Sequence, residues 1–557
     1  MKRWFDVLWL VFWAALSAAY CLTAAREQSC TFDEAFYLRE GLTSFHTGSH
    51  WGLMRAGTTP LPMDVQYGPI YLWEKARGQD FDVNNWDDFH TILPYARAMN
   101  LVFWGLLLLY GMLVARVYGG PWAGRFAVPL IATEPSLLGH ASLATTDIAI
   151  SALILVFIFH YVRGRDGGRW RRWVLPGLLF GLALSAKVSA LTFVPLLMIA
   201  LEVPRWYAAG VFARPAAGGR IRHVWRGVRP FVGDLIKVFL IGSAFLWGYC
   251  GTDWKPQQSF VKEADKLPDD HPWKSEMTYW SRTLRVFPNA GEALAYQIKH
   301  NIRGHASVLN GVFFRRALWY YYPVALTIKL TVIVLGLLAV LLVTRPRALA
   351  TPVGLMALVL FLFSLNTRVQ IGIRIVFPLV VLLLLTLAVG LARATEAWQG
   401  RVRGGLLILL AGACCYPPLS AWPDGLRYGN ELWGGTETVY EHLGESNYDW
   451  GQGLIDLEKW RVARGLPEPK VWYYGKDPVV AMNPDRRLQL EWTTFRLESP
   501  EDTWKYVEGQ VVAVGVGYLY GNRTISPHQI HAVEFFLARK PIGKTRTFFV
   551  YDFRQPP

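Results

Sequence analysis

Apolar residues gather along this chain into runs of about 20, the length an α-helix needs to cross the hydrocarbon core of a bilayer. The runs predict eleven spans, at roughly 4–25, 95–117, 122–140, 143–162, 171–186, 188–204, 232–251, 321–343, 350–365, 371–392 and 404–422. The pair at 171–204 arises from a single apolar stretch that is divided at Lys187. Three longer segments, 26–94, 252–320 and 423–557, lack the pattern.

The first outer segment opens on Thr31-Phe32-Asp33-Glu34-Ala35-Phe36-Tyr37. Thr31 and Glu34 have the T-x-x-E spacing of a capping box, and Asp33 suits a helix N-terminus electrostatically. A helix is predicted from Phe32 to about His46. At 100° per residue, Asp33, Tyr37, Glu40 and Ser44 share a polar side, while Glu34 lies with Leu38, Leu42 and Phe45. Such a helix suits the membrane surface. In the last segment, helical periodicity runs over Gly453–Arg464 and His528–Lys540. Strand-like runs occupy Val471–Tyr474, Val511–Tyr518 and Thr547–Phe553. The expected architecture is a polytopic α-helical membrane domain (1–422) with outer loops 26–94 and 252–320, followed by a soluble α/β domain (423–557).

Charge orients the spans. With Lys2 and Arg3 in the cytoplasm, the odd number of helices puts Arg116 and Arg125, the clusters at 163–172 and 205–229, Arg345, Arg347, Arg393, Arg401 and Arg403 on that side. This is the positive-inside bias. It places the N-terminus in the cytoplasm and the three long segments on the opposite face. The first run resembles a signal peptide in its charge, but its length and the spans that follow favour an uncleaved helix.

Composition agrees with a membrane protein: 52% of the 557 residues are hydrophobic and 18% charged. The formal charge of +15 does not indicate nucleic acid, since the basic residues cluster between apolar runs without an aromatic-interleaved groove. Five cysteines, none in C-x-x-C or Cys/His spacing, indicate neither zinc nor a disulfide framework. No internal repeat is evident, and the Asn522-Arg523-Thr524 sequon is read as incidental.

Several polar residues sit where apolar runs meet the outer face. Thr145-Thr146-Asp147 starts the fourth span, where capping and a place in an outer cavity are both open readings. Lys187 interrupts GLALSAKVS, and Arg374 lies in QIGIRIVFP. Each either snorkels or binds an anion; arginine suits phosphate because its planar fork reaches two oxygens. His305, Lys329 and the aromatic run Trp319–Tyr322 belong to the same outer side, where the aromatics suit an interfacial belt. Asp449 in NYDWGQ suits a helix cap. Together these residues place acids and bases at one depth, the chemistry needed to bind a lipid phosphate and activate a hydroxyl.

FDEAFY, PSLLGHASLATTDIA, GLALSAKVSALTFVP, GHASVLNGVF, WYYYPVALTIK and IGIRIVFP, in this order, resemble the phospholipid carrier-dependent glycosyltransferases of the GT-C architecture. That group includes protein O-mannosyltransferases and aminoarabinose transferases of lipid A. NYDWGQ resembles a tail found in many bacterial members. The resemblance implies a sugar donor carried on polyprenyl phosphate, transfer with inversion at the outer face of a bacterial inner membrane, and a lipid, glycan or protein acceptor. It implies that Asp33 is the general base and that Glu34, Asp147, Lys187 and Arg374 order or bind substrate, with His305 and Lys329 as further substrate-binding candidates. No metal ligands are assigned, and the sequence fixes no metal requirement. Two departures matter. The Glu-Lys-Pro-Pro-Leu stretch of aminoarabinose transferases is replaced by Thr58-Thr59-Pro60-Leu61-Pro62, and 252–320 is too short for the β-trefoil of eukaryotic-type mannosyltransferases. A transporter and a non-catalytic scaffold are the competing classes. The first expects repeated halves. The second leaves Asp33, Asp147, Lys187 and Arg374 unexplained.

Overall fold

The apolar runs fold into a bundle of helices. The computed structural model describes residues 3–214, 219–256, 258–285, 288–490, 497–521 and 527–555; the Asn522 sequon lies outside them. Among the described residues, seven helices are long and apolar enough to cross a membrane: Trp4–Arg26, Trp86–Ala132, Asp147–Gly164, Ala190–Ala208, Arg220–Cys250, Ile373–Ala394 and Gly400–Ala421. The pair Tyr321–Lys329 and Val332–Thr344, bent by 114°, has that length and apolarity only when taken together, as a broken span or a re-entrant loop.

The remaining expected spans take other forms. The segment Leu101–Ala132 is two antiparallel helices that meet at Gly120, whose φ of +69° only glycine adopts easily. The pairing shows in the contacts a Cβ would make: one on Gly111 meets Ile131, and one on Gly124 meets Arg116. Pro121 suits the start of the second helix, where a missing N–H costs nothing. Expected span 171–186 is a π-turn, Trp170–Val174, continued by Leu175–Ala186. Lys187 is extended (φ −163°, ψ 134°), and the next helix begins at Ala190, so the apolar stretch divides at this lysine. Expected span 350–365 is the short helix Pro352–Ser364. At the centre of the bundle lies Phe377–Ala394, buried along nearly its whole length against the 101–132 hairpin.

The segment after the first helix folds into Phe32–Thr47, Leu61–Arg77 and Trp86–Met99, around a small core of Leu38, Met63, Tyr67, Phe89 and Ile92. In the 252–320 segment, β1 (Ser307–Leu309) and β2 (Val312–Phe314) form a hairpin across Asn310-Gly311. Both turn residues have positive φ, 50° and 71°, as a type I′ turn requires.

The chain after the last long helix crosses back over the bundle. Val439, Leu443 and Tyr448 enter the main core, so this stretch packs as part of the helical bundle. The sheet follows in the order β3-β4-β6-β5, with β3 Lys470–Trp472, β4 Val511–Gly515, β5 Gly543–Lys544 and β6 Phe548–Asp552. β3 and β4 are parallel, and the other pairs antiparallel. Helices Leu454–Val462 and Pro527–Leu537 accompany it.

Candidate active site

The helix Phe32–Thr47 starts at the expected capping box: the Thr31 N–H and Oγ1 donate to Glu34 Oε2 at 3.0 and 2.9 Å. This fixes the direction of the two acids. Glu34 turns inward and is fully buried, while Asp33, one residue earlier, faces a cavity of about 600 Å³. The entry strand into the helix is pinned by the C-terminal region. The Phe32 N–H donates to the Trp450 carbonyl (2.8 Å), the Ser29 N–H to the Gln452 carbonyl (3.0 Å), and the Cys30 N–H to Asp477 Oδ2 (3.1 Å).

Arg374 enters from the other side. It sits in the single 3₁₀ turn Ile373–Val376, which precedes the central helix. Gly372 before it has φ +123°, and a Cβ there would lie 2.2 Å from Ser446 Oγ, so the turn needs glycine. The Arg374 Nε donates to Ser446 Oγ (3.0 Å) and Nη1 to Asp33 Oδ2 (3.1 Å). Its guanidinium lies over the Trp450 ring, 4.0 Å from the centroid. Behind this pair is Asp147, fully buried. Lys187 Nζ donates to its Oδ1 at 2.6 Å, and its Oδ2 lies 3.7 Å from both Arg374 Nη1 and His140 Nδ1.

The charge lining the cavity is lopsided. Arg39, Lys187, Arg374, Lys476 and Arg487 face it, against the carboxylate of Asp33. Even with Asp147 counted behind Lys187 and Arg374, five cations face two carboxylates, a balance that favours an anion. Lys476 packs over the Phe32 ring at 3.9 Å; burial draws its ammonium below the ordinary lysine range, and Asp33 opposes part of that shift. Burial holds the Tyr37 hydroxyl well above the usual tyrosine range, so it lines the cavity as a neutral group.

Of the residues singled out from sequence, Asp33, Lys187 and Arg374 line the cavity, and Asp147 braces the two cations from behind. Three do not reach it. Glu34 spends its oxygens on a two-pronged pair with Arg97 (Nε to Oε1 2.8 Å, Nη2 to Oε2 2.7 Å) and on the Ala144 N–H (2.8 Å), so it anchors the fold. His305 lies beyond the C-terminus of the helix Asn289–Arg303, where its N–H is tied to the Arg368 carbonyl (2.9 Å) and its Nδ1 lies 2.9 Å from the Ala306 carbonyl. That helix itself presents Gln297, His300 and Asn301 instead. Lys329 is turned inward at the 114° bend and donates to the carbonyls of Leu426 (2.7 Å) and Asn447 (2.8 Å).

NYDWGQ is more than a helix start. Asn447 Oδ1 accepts the Ile373 N–H (3.0 Å) and its Nδ2 donates to the Tyr321 hydroxyl (2.9 Å), which holds the turn that carries Arg374. Asp449 does not cap a helix. It accepts the N–H groups of Gly451 (3.1 Å) and Gly517 (2.9 Å), and its burial pushes its carboxyl up to about 6. Lys476 and Arg487 carry no motif; their place on the cavity wall follows from the strand and turns around them.

No family model matches the chain, and no curated protein matches it. Among solved structures the chain is similar to ArnT from Cupriavidus metallidurans bound to undecaprenyl phosphate, with TM-score 0.46 and 12% identity over 97% of each chain. It is similar to the apo form of the same protein with TM-score 0.43 and 13% identity. A third similarity is to the Archaeoglobus fulgidus oligosaccharyltransferase in its apo form, with TM-score 0.42 and 14% identity over 76% of this chain and 56% of that one. These proteins are GT-C glycosyltransferases. Likeness of this depth assigns no residue a role and no substrate.

Proposed function

We propose that the protein is a membrane glycosyltransferase that moves a sugar from a polyprenyl-phosphate donor to an acceptor hydroxyl. The observation that carries this reading is the meeting of one accessible carboxylate, Asp33, with a ring of cations in a single cavity at one end of the helices. In the reaction, the acceptor oxygen attacks the anomeric carbon and gives its proton to Asp33. The bond from that carbon to the phosphate oxygen breaks on the opposite face, which inverts the centre. The electron pair leaves on the polyprenyl phosphate, whose charge Arg374 and Lys187 stabilise. Fixed cations aimed at developing charge account for much of the acceleration. The acceptor is a lipid, glycan or protein; Lys476 and Arg487 from the C-terminal region help shape the space it enters. A transporter reading is less favoured, because the charged site lies at helix ends rather than midway along them.

The direct test is release of polyprenyl phosphate from a polyprenyl-phosphate sugar by the purified protein. Lys187→Met and Arg374→Met each weaken donor binding by roughly 10–100-fold, the worth of one charged hydrogen bond. The double variant loses less than the sum if both grip one phosphate. Unchanged donor affinity in both single variants removes the phosphate from this cavity.

The cavity and the C-terminal region belong, on this reading, to the periplasmic face of a bacterial inner membrane, with the N-terminus in the cytoplasm. A phosphatase reporter fused after Pro557 is then active and a cytoplasm-dependent fluorescent reporter dark. The reverse result inverts the topology.

A further inference from the structure

A second charged site lies at the other end of the bundle. The helix Asp147–Gly164 has 18 residues and is therefore about 27 Å long. Asp147 at its start belongs to the cavity described above. Past its far end, between the π-turn Trp170–Val174 and the first half of Arg220–Cys250, is an open cleft of about 760 Å³. The two sites are thus separated by about the thickness of a hydrocarbon core.

The cleft is rich in arginine; its one lining acid, Asp234, and the nearby Glu202 and Asp166 are already paired. Asp234 accepts from Arg165 Nη1 (2.5 Å) and lies 2.8 Å from Arg172 Nη2; Glu202 accepts from Arg165 Nε (2.6 Å); Asp166 is paired with Arg205 (2.5 Å). Arg169, Arg226 and Arg229 line the cleft and have no ion pair or side-chain hydrogen bond among the described residues. Trp173 forms one wall, with Lys237 Nζ 5.4 Å from its ring. Three guanidinium groups without a partner among the described residues, an indole beside them at the end of the bundle, and apolar helix surface continuing from the cleft are the chemistry that holds a phosphodiester with acyl chains beside it.

We propose that this cleft binds the phosphate headgroup of an anionic diacyl phospholipid, in the leaflet that faces away from the sugar-transfer cavity. Arg169, Arg226 and Arg229 take the phosphate oxygens, Trp173 packs against the glycerol region, and the acyl chains lie along the apolar parts of Leu175–Ala186 and Arg220–Cys250. The lipid adds to the Arg172–Asp234 pair that already joins the π-turn to the long helix.

The test uses the full-length protein in detergent, with phosphatidylglycerol and phosphatidylcholine of matched chains as probes and native mass spectrometry as the readout. Wild-type protein retains phosphatidylglycerol in preference to phosphatidylcholine. Arg226→Gln and Arg229→Gln each weaken that binding about fivefold, and the triple variant with Arg169→Gln about a hundredfold. These side chains have no ion pair or side-chain hydrogen bond among the described residues, so the single variants keep the melting temperature of lipid-free wild type. Equal retention of the two lipids, or unchanged phosphatidylglycerol binding in the single and triple variants, overturns the proposal. Excess inorganic phosphate leaves the lipid in place; its displacement by phosphate alone reassigns the cleft to a soluble phosphate compound and overturns the lipid reading.

Discussion

Asp33→Asn lowers sugar transfer by about 10²–10⁴-fold, the usual contribution of a general base, while the protein stays folded. The asparagine has nearly the same shape and keeps an oxygen for Arg374 Nη1, now 3.1 Å from Asp33 Oδ2. It cannot take the acceptor's proton. Folding is spared because the neighbouring Glu34, rather than Asp33, makes the buried contacts at this helix start. With Lys187 and Arg374 proposed as the phosphate ligands, donor affinity is expected to stay close to wild type and the loss to fall on turnover. The measurement is initial rate against donor concentration, with a melting curve on the same preparation. Turnover near wild type takes Asp33 out of the proton transfer, and a loss confined to donor affinity makes it a binding group.

Periodicity places Glu34 with Leu38 and Leu42 on the side that becomes buried, but Tyr37 and Ser44, expected on the polar side with Asp33, are buried as well, because the neighbouring helices cover that side too. The break at Lys187 is readable, as a charge inside an apolar run. What local pattern cannot supply is the partner across space. Arg97 meets Glu34 from 63 positions away, and Arg374 meets Asp33 from 341. A buried carboxylate at a helix N-terminus therefore looks equally like a ligand or an anchor until its neighbour is known. Lys329 and His305 lie off the cavity wall for a related reason. The 114° bend turns Lys329 into the protein, and the end of a helix at Arg303 carries His305 past the cavity. Trp450 was hidden because aromatics at a membrane surface usually mark the interface; here one is the platform under the Arg374 guanidinium.

Arg97→Met destabilises the protein by about 3–5 kcal/mol, the cost of leaving one member of a buried pair uncompensated. Arg97 is 1% exposed and Glu34 0%. Besides its two bonds to Glu34, Arg97 donates to the carbonyls of Ala25 and Gln28 (2.7 Å each) and Ser29 (2.8 Å), so it closes the turn between the first helix and the helix that carries Asp33. Glu34→Gln keeps the size but loses the charge, and the double variant Glu34→Gln/Arg97→Met recovers part of the loss, since no lone buried charge remains. The pair also has a pH signature. Burial raises the Glu34 carboxyl, but Arg97 and the hydrogen bonds outweigh this and hold it below its ordinary 4.5. The unfolded chain therefore binds the proton first as pH falls, and stability rises with pH across that window. The contribution is complete above about 4.5 and is lost as pH drops through the lower folded value. Melting curves at neutral pH and down through pH 4 check both claims. In Glu34→Gln that part of the acid sensitivity disappears. An Arg97→Met protein as stable as wild type, with its acid limb unchanged, shows that the ion pair is not what anchors the helix bearing Asp33.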